Sequence, residues 1–288
     1  MEEIFENADL DNLILKDKEY YRKKRIKALI IIFIIIIIIG ILVGIIFIII
    51  KEFLRIKGGK IICSFLTSND NKNIQIININ EDIKFSLIID GKEYDKNNYH
   101  SFEKAGLHNV TFAFKNKLDS LEGFFNENNY LIEADFSQLE TENIKSMAFL
   151  FKESQNLEKV NFGSNFDTSK VTNMQYLFYS CKGLNEIDLS SFKLENLINA
   201  EYMFGDCIQL KEIIFNNNTR SNNLEVMNNM FTDCSSLEYI NTKILRTNKV
   251  KNLNYVFANC ISLKEINISH FDSKNIKELK GNLRIVQI

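Results

Sequence analysis

The sequence predicts an α/β solenoid of six to seven strand–helix repeats, preceded by a small β-rich cap and an N-terminal transmembrane helix. Three observations predict it. Residues 28–50 form one uncharged run, ALIIIFIIIIIIGILVGIIFIII. A single phrase returns with its Phe at Phe125, Phe151, Phe178, Phe204, Phe231 and Phe257, in steps of 26, 27, 26, 27 and 26 residues. Each copy also carries two hydrophobic periods, one suited to a helix and one to a strand.

The clearest copy is VTNMQYLFYSCKGLNEIDLSSF, from Val171. Three residues after the Phe stand Asn128, Ser154, Cys181, Cys207, Cys234 and Cys260. Three further on stand Leu131, Leu157, Leu184, Leu210, Leu237 and Leu263, then Ala134, Val160, Ile187, Ile213, Ile240 and Ile266. A period in the twenties marks units that bury their apolar faces only by stacking on neighbours. Ile276, Leu279 and Leu283 begin a shortened seventh copy. Val171, Met174, Phe178 and Cys181 fall at i, i+3, i+7 and i+10, one face of a helix. From Ile187 the pattern alternates as in a strand. A strand and a backing helix in 26 or 27 residues is the leucine-rich-repeat pattern. The Phe column is then core, each ring contributing roughly 1.5–3 kcal/mol by burial.

FDTSKVTNMQYLFYSCKGLNEIDLSSF (Phe166 to Phe192), with its echoes MFGDCIQLKEI and MFTDCSSLEYI, resembles the BspA-like leucine-rich-repeat surface proteins. The resemblance covers residues 118–288. It implies the solenoid fold and a place among surface antigens, adhesins and uncharacterised repeat proteins. Asn128 and Ser154 depart from the Cys column, and Ala200 from the Met column.

In chain order, residues 1–27 read as a cytoplasmic tail, acidic at first and ending in Arg22, Lys23, Lys24, Arg25 and Lys27. Tyr20 and Tyr21 sit within it. Residues 28–50 are long enough as a helix, at about 1.5 Å per residue, to span a hydrocarbon core of roughly 30 Å. The run exceeds a signal-peptide core and lacks a small-residue cleavage site, which predicts an uncleaved single-pass anchor. Gly40 and Gly44 give G-x-x-x-G, a helix-dimer motif. Seven Lys or Arg from Lys16 to Lys27, against four from Lys51 to Lys60, predict a cytoplasmic N-terminus, with the repeats outside the plasma membrane.

Residues 51–117 read as a juxtamembrane linker and the β-rich cap, with strands at Lys60–Leu66, Ile74–Asn80, Lys84–Asp90 and His108–Phe114 and a turn at Asp90–Gly91. Its expected role is to cover the solenoid's open sheet edge. Asn69–Asn73 offers oxygen ligands but lacks the glycine and final Glu of an EF-hand loop. Residues 118–288 are the repeats.

Composition excludes several functions. A net charge of −2 gives no electrostatic footprint for nucleic acid. No nucleophile elbow, phosphate loop or zincin motif occurs, and the three His have no acid–nucleophile partners in sequence. No catalytic, cofactor or metal residue is assigned, and the chain reads as no enzyme. The Cys spacing does not suit zinc, and stacked equivalent positions rarely suit disulfides, so the column reads as small buried apolar groups near a helix end.

What remains is the outer face of the predicted sheet. Glu133, Lys159, Glu186, Glu212, Tyr239 and Glu265 form one ladder; Asp135, Asn161, Asp188, Ile214, Asn241 and Asn267 form the next. This polar, mildly acidic stripe is the expected binding face for an extracellular protein or glycan, or the contact of a self-associating coat; a merely solvated face is the bland alternative. A receptor signalling through the tail is a third expectation. Sequons stand at Asn109, Asn217 and Asn267, the last expected in a strand where a glycan would obstruct that face.

Overall fold

A computed structural model describes residues 22–25, 27, 29–46, 57–68, 73–264, 266–272, 274 and 280. The cytoplasmic-tail reading with Tyr20 and Tyr21, most of the Asn69–Asn73 loop, Glu265 and the shortened seventh copy lie outside them. Two compact units divide at Arg55.

In the first unit, Arg22–Ile46 form helix α1, whose 25 residues are long and apolar enough to cross a membrane. By length and composition alone, a signal sequence satisfies the same description.

The second unit begins with strand β1 (Gly59–Thr67), then β2 (Ile74–Gln75), β3 (Phe85–Ile89), β4 (Lys92–Tyr94), β5 (Tyr99–His100) and β6 (Gly106–Phe114). The repeats contribute β7 (Leu131–Leu139), β8 (Lys159–Asn161), β9 (Glu186–Leu189) and β10 (Glu212–Phe215). Alternation of apolar residues buries one face of β1 and β3, as period 2 requires. Asp90 and Gly91, both at positive φ, turn β3 into β4.

The sheets are not those of a solenoid. One six-stranded sheet runs β4-β3-β6-β1-β7-β8, with β1 antiparallel to both β6 and β7 and only β7–β8 parallel. The pairs β9–β10 and β2–β5 are separate sheets. The sheet therefore continues across the expected boundary at residue 117, and β1 is built into the edge of the first repeat. Gly59 sits at that junction with φ +75°, where an added Cβ would lie 2.2 Å from the Gln138 carbonyl oxygen.

The strand–helix repeat is overturned as well. Among the described residues beyond 56 no α-helix forms, and a three-residue 3₁₀ turn at Thr242–Ile244 is the one helical element. The stretch expected to be helical folds as consecutive turns. Its amide N–H groups reach back three residues, as in Leu177 to Met174, Tyr179 to Tyr176 and Cys181 to Phe178. Two residues per copy, four apart, hold positive φ: Phe149 and Glu153, Tyr176 and Ser180, Tyr202 and Asp206, Asn229 and Asp233, Tyr255 and Asn259. A left-handed non-glycine residue costs roughly 1–2 kcal/mol and cannot continue a right-handed helix.

Bonds to the next copy offset that strain. The N–H groups of Tyr176, Phe178 and Ser180 donate to the carbonyls of Glu201, Met203 and Gly205 at 2.8–2.9 Å, and Tyr202, Phe204 and Asp206 repeat the pattern on Asn228, Met230 and Thr232. Parallel bridges Ser120–Ser146–Asn173–Asn199–Val226 mark where successive copies begin. Each copy is a layer of turns bonded to the next layer.

The core is aromatic. Phe125, Phe151, Phe178, Phe204, Phe231 and Phe257 form one column of near-parallel rings, with neighbouring centroids 5.3–5.7 Å apart. Beside it, Phe136, Phe162, Phe166 and Phe192 pack edge-on and tilted, with Phe166 and Phe192 stacked at 5.6 Å. Phe112 carries this packing into β6, 6.1 Å from Phe125.

Candidate binding face

Strand register pairs four residues of the first predicted ladder, in two separate sheets. Register places Glu133 beside Lys159 and Asp135 beside Asn161 across β7–β8. Across β9–β10 it places Glu212 beside Glu186 and Ile214 beside Asp188. In the first, Lys159 stands opposite Glu133. The second sets two exposed carboxylates side by side, and among the described residues no Lys or Arg forms an ion pair with either. Like charges facing each other in neighbouring strands are unfavourable to the fold. Beyond them Tyr239 is 62% exposed and Ile214 41%, so the acid pair lies near uncovered apolar surface.

The second ladder does a different job. Asp135, Asn161, Asp188, Asn241 and Asn267 each accept, through Oδ1, the N–H two residues on, at Ser137, Gly163, Ser190, Lys243 and Ser269. Those of Asn161, Asp188, Asn241 and Asn267 are Asx turns where the chain leaves its row, whereas Asp135 makes the same bond inside β7, where the pairing with β1 shifts register. Ile214 interrupts the column, and Asn216 takes over by accepting from the Asn218 N–H at 2.9 Å. Asn267 lies in such a turn and not in a strand, which corrects its expected position. Side-chain oxygens committed to local turns are poorer ligand groups than Glu186 and Glu212.

The sequon asparagines differ in setting. Asn109 is exposed on β6, with its N–H held by Asp90 Oδ1 at 2.9 Å. Asn217 is exposed in a turn but accepts the Asn241 side-chain amide at 2.8 Å. Asn267 is exposed, with its Oδ1 taken by Ser269.

The Cys column is also corrected in its physics. Its members are not at a helix end. Cys181, Cys207, Cys234 and Cys260 donate through Sγ to the carbonyls of Phe151, Phe178, Phe204 and Phe231 in the preceding copy, at 3.0–3.1 Å. Ser154 makes the same bond to Phe125, and Asn128 reaches the Gln75 carbonyl at 3.0 Å. The column is a row of hydrogen-bond donors, which is why Ser and Asn replace Cys in it. All five Cys are free thiols. Burial pushes the Cys63, Cys181, Cys207 and Cys234 thiols well up, and that of the half-buried Cys260 to about 12. Raised thiols are inert as nucleophiles. Among the described residues no three His, Cys, Asp or Glu side chains gather as a metal site.

Sequence reasoning missed an aromatic column on the other flank. Phe149, Tyr176 and Tyr202 stack at 5.5 and 4.9 Å, with Tyr179 edge-on to both tyrosines. Burial and then the Glu201 charge raise the Tyr176 phenol, while burial and then Asp206 raise that of Tyr179. The available signal was an aromatic residue two places before the column Phe in three successive copies.

The repeats match the family model described as Mycoplasma protein of unknown function, DUF285, at residues 119–243 and 217–284, more than half of the chain. The chain belongs to this family. The DUF285 region begins beside Ser120, the first of the parallel bridges, and takes in the turn layers, the Phe column and the acidic pair. Comparison with curated proteins and with solved structures gave no significant match.

Proposed function

We propose that this DUF285 chain is a single-pass surface protein, cytoplasmic at its N-terminus, whose exported layered repeats bind an extracellular protein or glycan without catalysis. The observation that carries the reading is the Glu186–Glu212 pair. Two exposed carboxylates in register, neither of them in an ion pair among the described residues and set against the fold's own preference, favour a basic partner patch. Tyr239 and Ile214 add exposed apolar area of the kind that anchors an interface. The resemblance to BspA-like surface proteins supports a surface location. Helix α1, with seven Lys or Arg before the apolar run and four after, supports the N-in orientation.

The test is adhesion of cells displaying the full chain to host cells and matrix, with Glu186→Lys and Glu212→Lys combined. The expected result is lost adhesion at unchanged surface expression, with the loss mirrored by raised salt in the wild type. Adhesion that survives both changes removes the acidic pair from the interface. Protease resistance of a C-terminal tag on intact cells removes the exported orientation.

A further inference from the structure

A second surface lies directly beside the strand starts. Residues that precede β8, β9 and β10 line an open groove of about 530 Å³ that crosses four successive copies. Its polar lining is mostly carboxamide: Asn129 from the first copy, Gln155 and Asn156 from the second, Asn185 from the third and Gln209 from the fourth. Gly183 explains why a groove exists here. It occupies the same place in its copy as Asn156 and Gln209 in theirs, so one side chain is missing from the middle of that row. The layer sits tightly at this point: a Cβ on Gly183 would lie 3.0 Å from the Leu157 carbonyl oxygen and 3.2 Å from that of Gln155. The gap is therefore floored by backbone.

The chemistry of the lining selects a ligand class. Side-chain amides present a donor and an acceptor together, the pairing that a sugar's vicinal hydroxyls require. Asn129, Asn156 and Asn185 spend part of that capacity inside the layers, on the Gln155 N–H and the Asn129 and Gly183 carbonyls, which leaves Gln155 and Gln209 as the amides turned to a ligand. Charge is sparse. Glu158 and Lys182 are the two ionisable residues in the lining, and Lys182 is taken by Asp206 at 3.2 Å. At one end Leu66, 53% exposed, and Ile132 offer an apolar patch for the C–H face of a ring. The layers repeat at 5.3–5.7 Å, measured on the Phe column, a step close to the length of one pyranose unit in an extended chain.

We propose that this groove binds a neutral linear oligosaccharide lying along the stacking direction, with Gln155 and Gln209 reading sugar units on either side of the Gly183 notch. The inference rests on the reading of the repeats as a binding module, but it concerns a different surface from the Glu186–Glu212 pair.

The experiment uses the full chain in lipid nanodiscs, with cellotetraose and the tetramer of N-acetylglucosamine as probes, read by calorimetry and ligand-observed NMR. The expected result is binding of at least one probe, weakened at least tenfold in Gln155→Ala/Gln209→Ala. Gly183→Gln should abolish it by filling the notch. Because the Gly183 change crowds the layer, the double alanine variant decides if that protein misfolds. No binding of either probe, or equal binding by the double variant, overturns the assignment. If the glutamate reversals still abolish adhesion in that case, the binding-module reading stands and the groove alone is lost. If sugar binding depends on the amides while adhesion ignores the glutamates, the acidic interface is lost and the groove stands.

Discussion

Phe204→Ala tests whether the layers hold together through their ring column. Phe204 is fully buried, with Phe178 at 5.6 Å on one face and Phe231 at 5.5 Å on the other. Truncation removes both stacks and leaves a cavity between layers that neighbouring backbone bonds keep from closing. The backbone at this position is itself tied to the next layer, because the Phe204 N–H donates to the Met230 carbonyl at 2.9 Å. The expected loss is about 3–5 kcal/mol, the range for large-to-small changes in a rigid core. Phe204→Leu separates burial from stacking. It keeps most of the apolar volume and gives up two ring pairs at about 0.5–1.5 kcal/mol each, so about 1–3 kcal/mol should be lost. The assay is urea unfolding of the full chain in detergent micelles, followed by Tyr fluorescence, since the chain has no Trp. An alanine variant within about 1 kcal/mol of wild type would refute a continuous column as the main source of cohesion.

Thiol titration, a buried amide and a junction glycine give three more tests. The buried thiols stay protonated in the fold above their ordinary pKa, so the native state binds more protons than the unfolded chain in alkali, and stability should fall from about pH 9 upward; Cys207→Ser/Cys234→Ser should flatten that fall in urea titrations across about pH 8–11, while native thiols react with iodoacetamide far more slowly than unfolded ones. Asn128→Leu deletes the donor to Gln75 and the acceptor for the Leu131 N–H, and should lower stability by about 1–3 kcal/mol, with hydrogen exchange at Leu131 as a local readout. Gly59→Ala forces a side chain at positive φ against the Gln138 carbonyl and should prevent β1 from seating, seen as protease cleavage within residues 57–68, where wild type resists.

How much of this was legible in the sequence differs from residue to residue. The Phe column was plain, because burial of identical rings at a fixed step needs no knowledge of local backbone. The strands at Lys60–Leu66 and His108–Phe114 were plain too, and they fall within β1 and β6. The helix was not there to be found. Val171, Met174, Phe178 and Cys181 keep helical spacing because successive three-residue turns also bring such positions to one side. One clue was present: the place two residues after each column Phe is Ser180, Asp206, Asp233 and Asn259 in four copies, small polar types that tolerate left-handed backbone. Tyr176 and Tyr202 hold the same conformation two residues before the Phe, and nothing in an aromatic side chain announces that.

The same confusion hid the functional geography. Asn156, Gly183 and Gln209 fall in a row between the expected helix and the strand, where periodicity alone says nothing about which side chains share a surface. As turns they lie just ahead of β8, β9 and β10, and the amide groove adjoins the acidic strand starts. The two ladders also part company once the backbone is known. Asp135, Asn161 and Asp188 commit their side chains to backbone N–H groups two residues on, whereas Glu186 and Glu212 form no such bond. Substitution at the first set should therefore register as lost stability, and at the second as lost binding. That separation is what makes the face testable residue by residue.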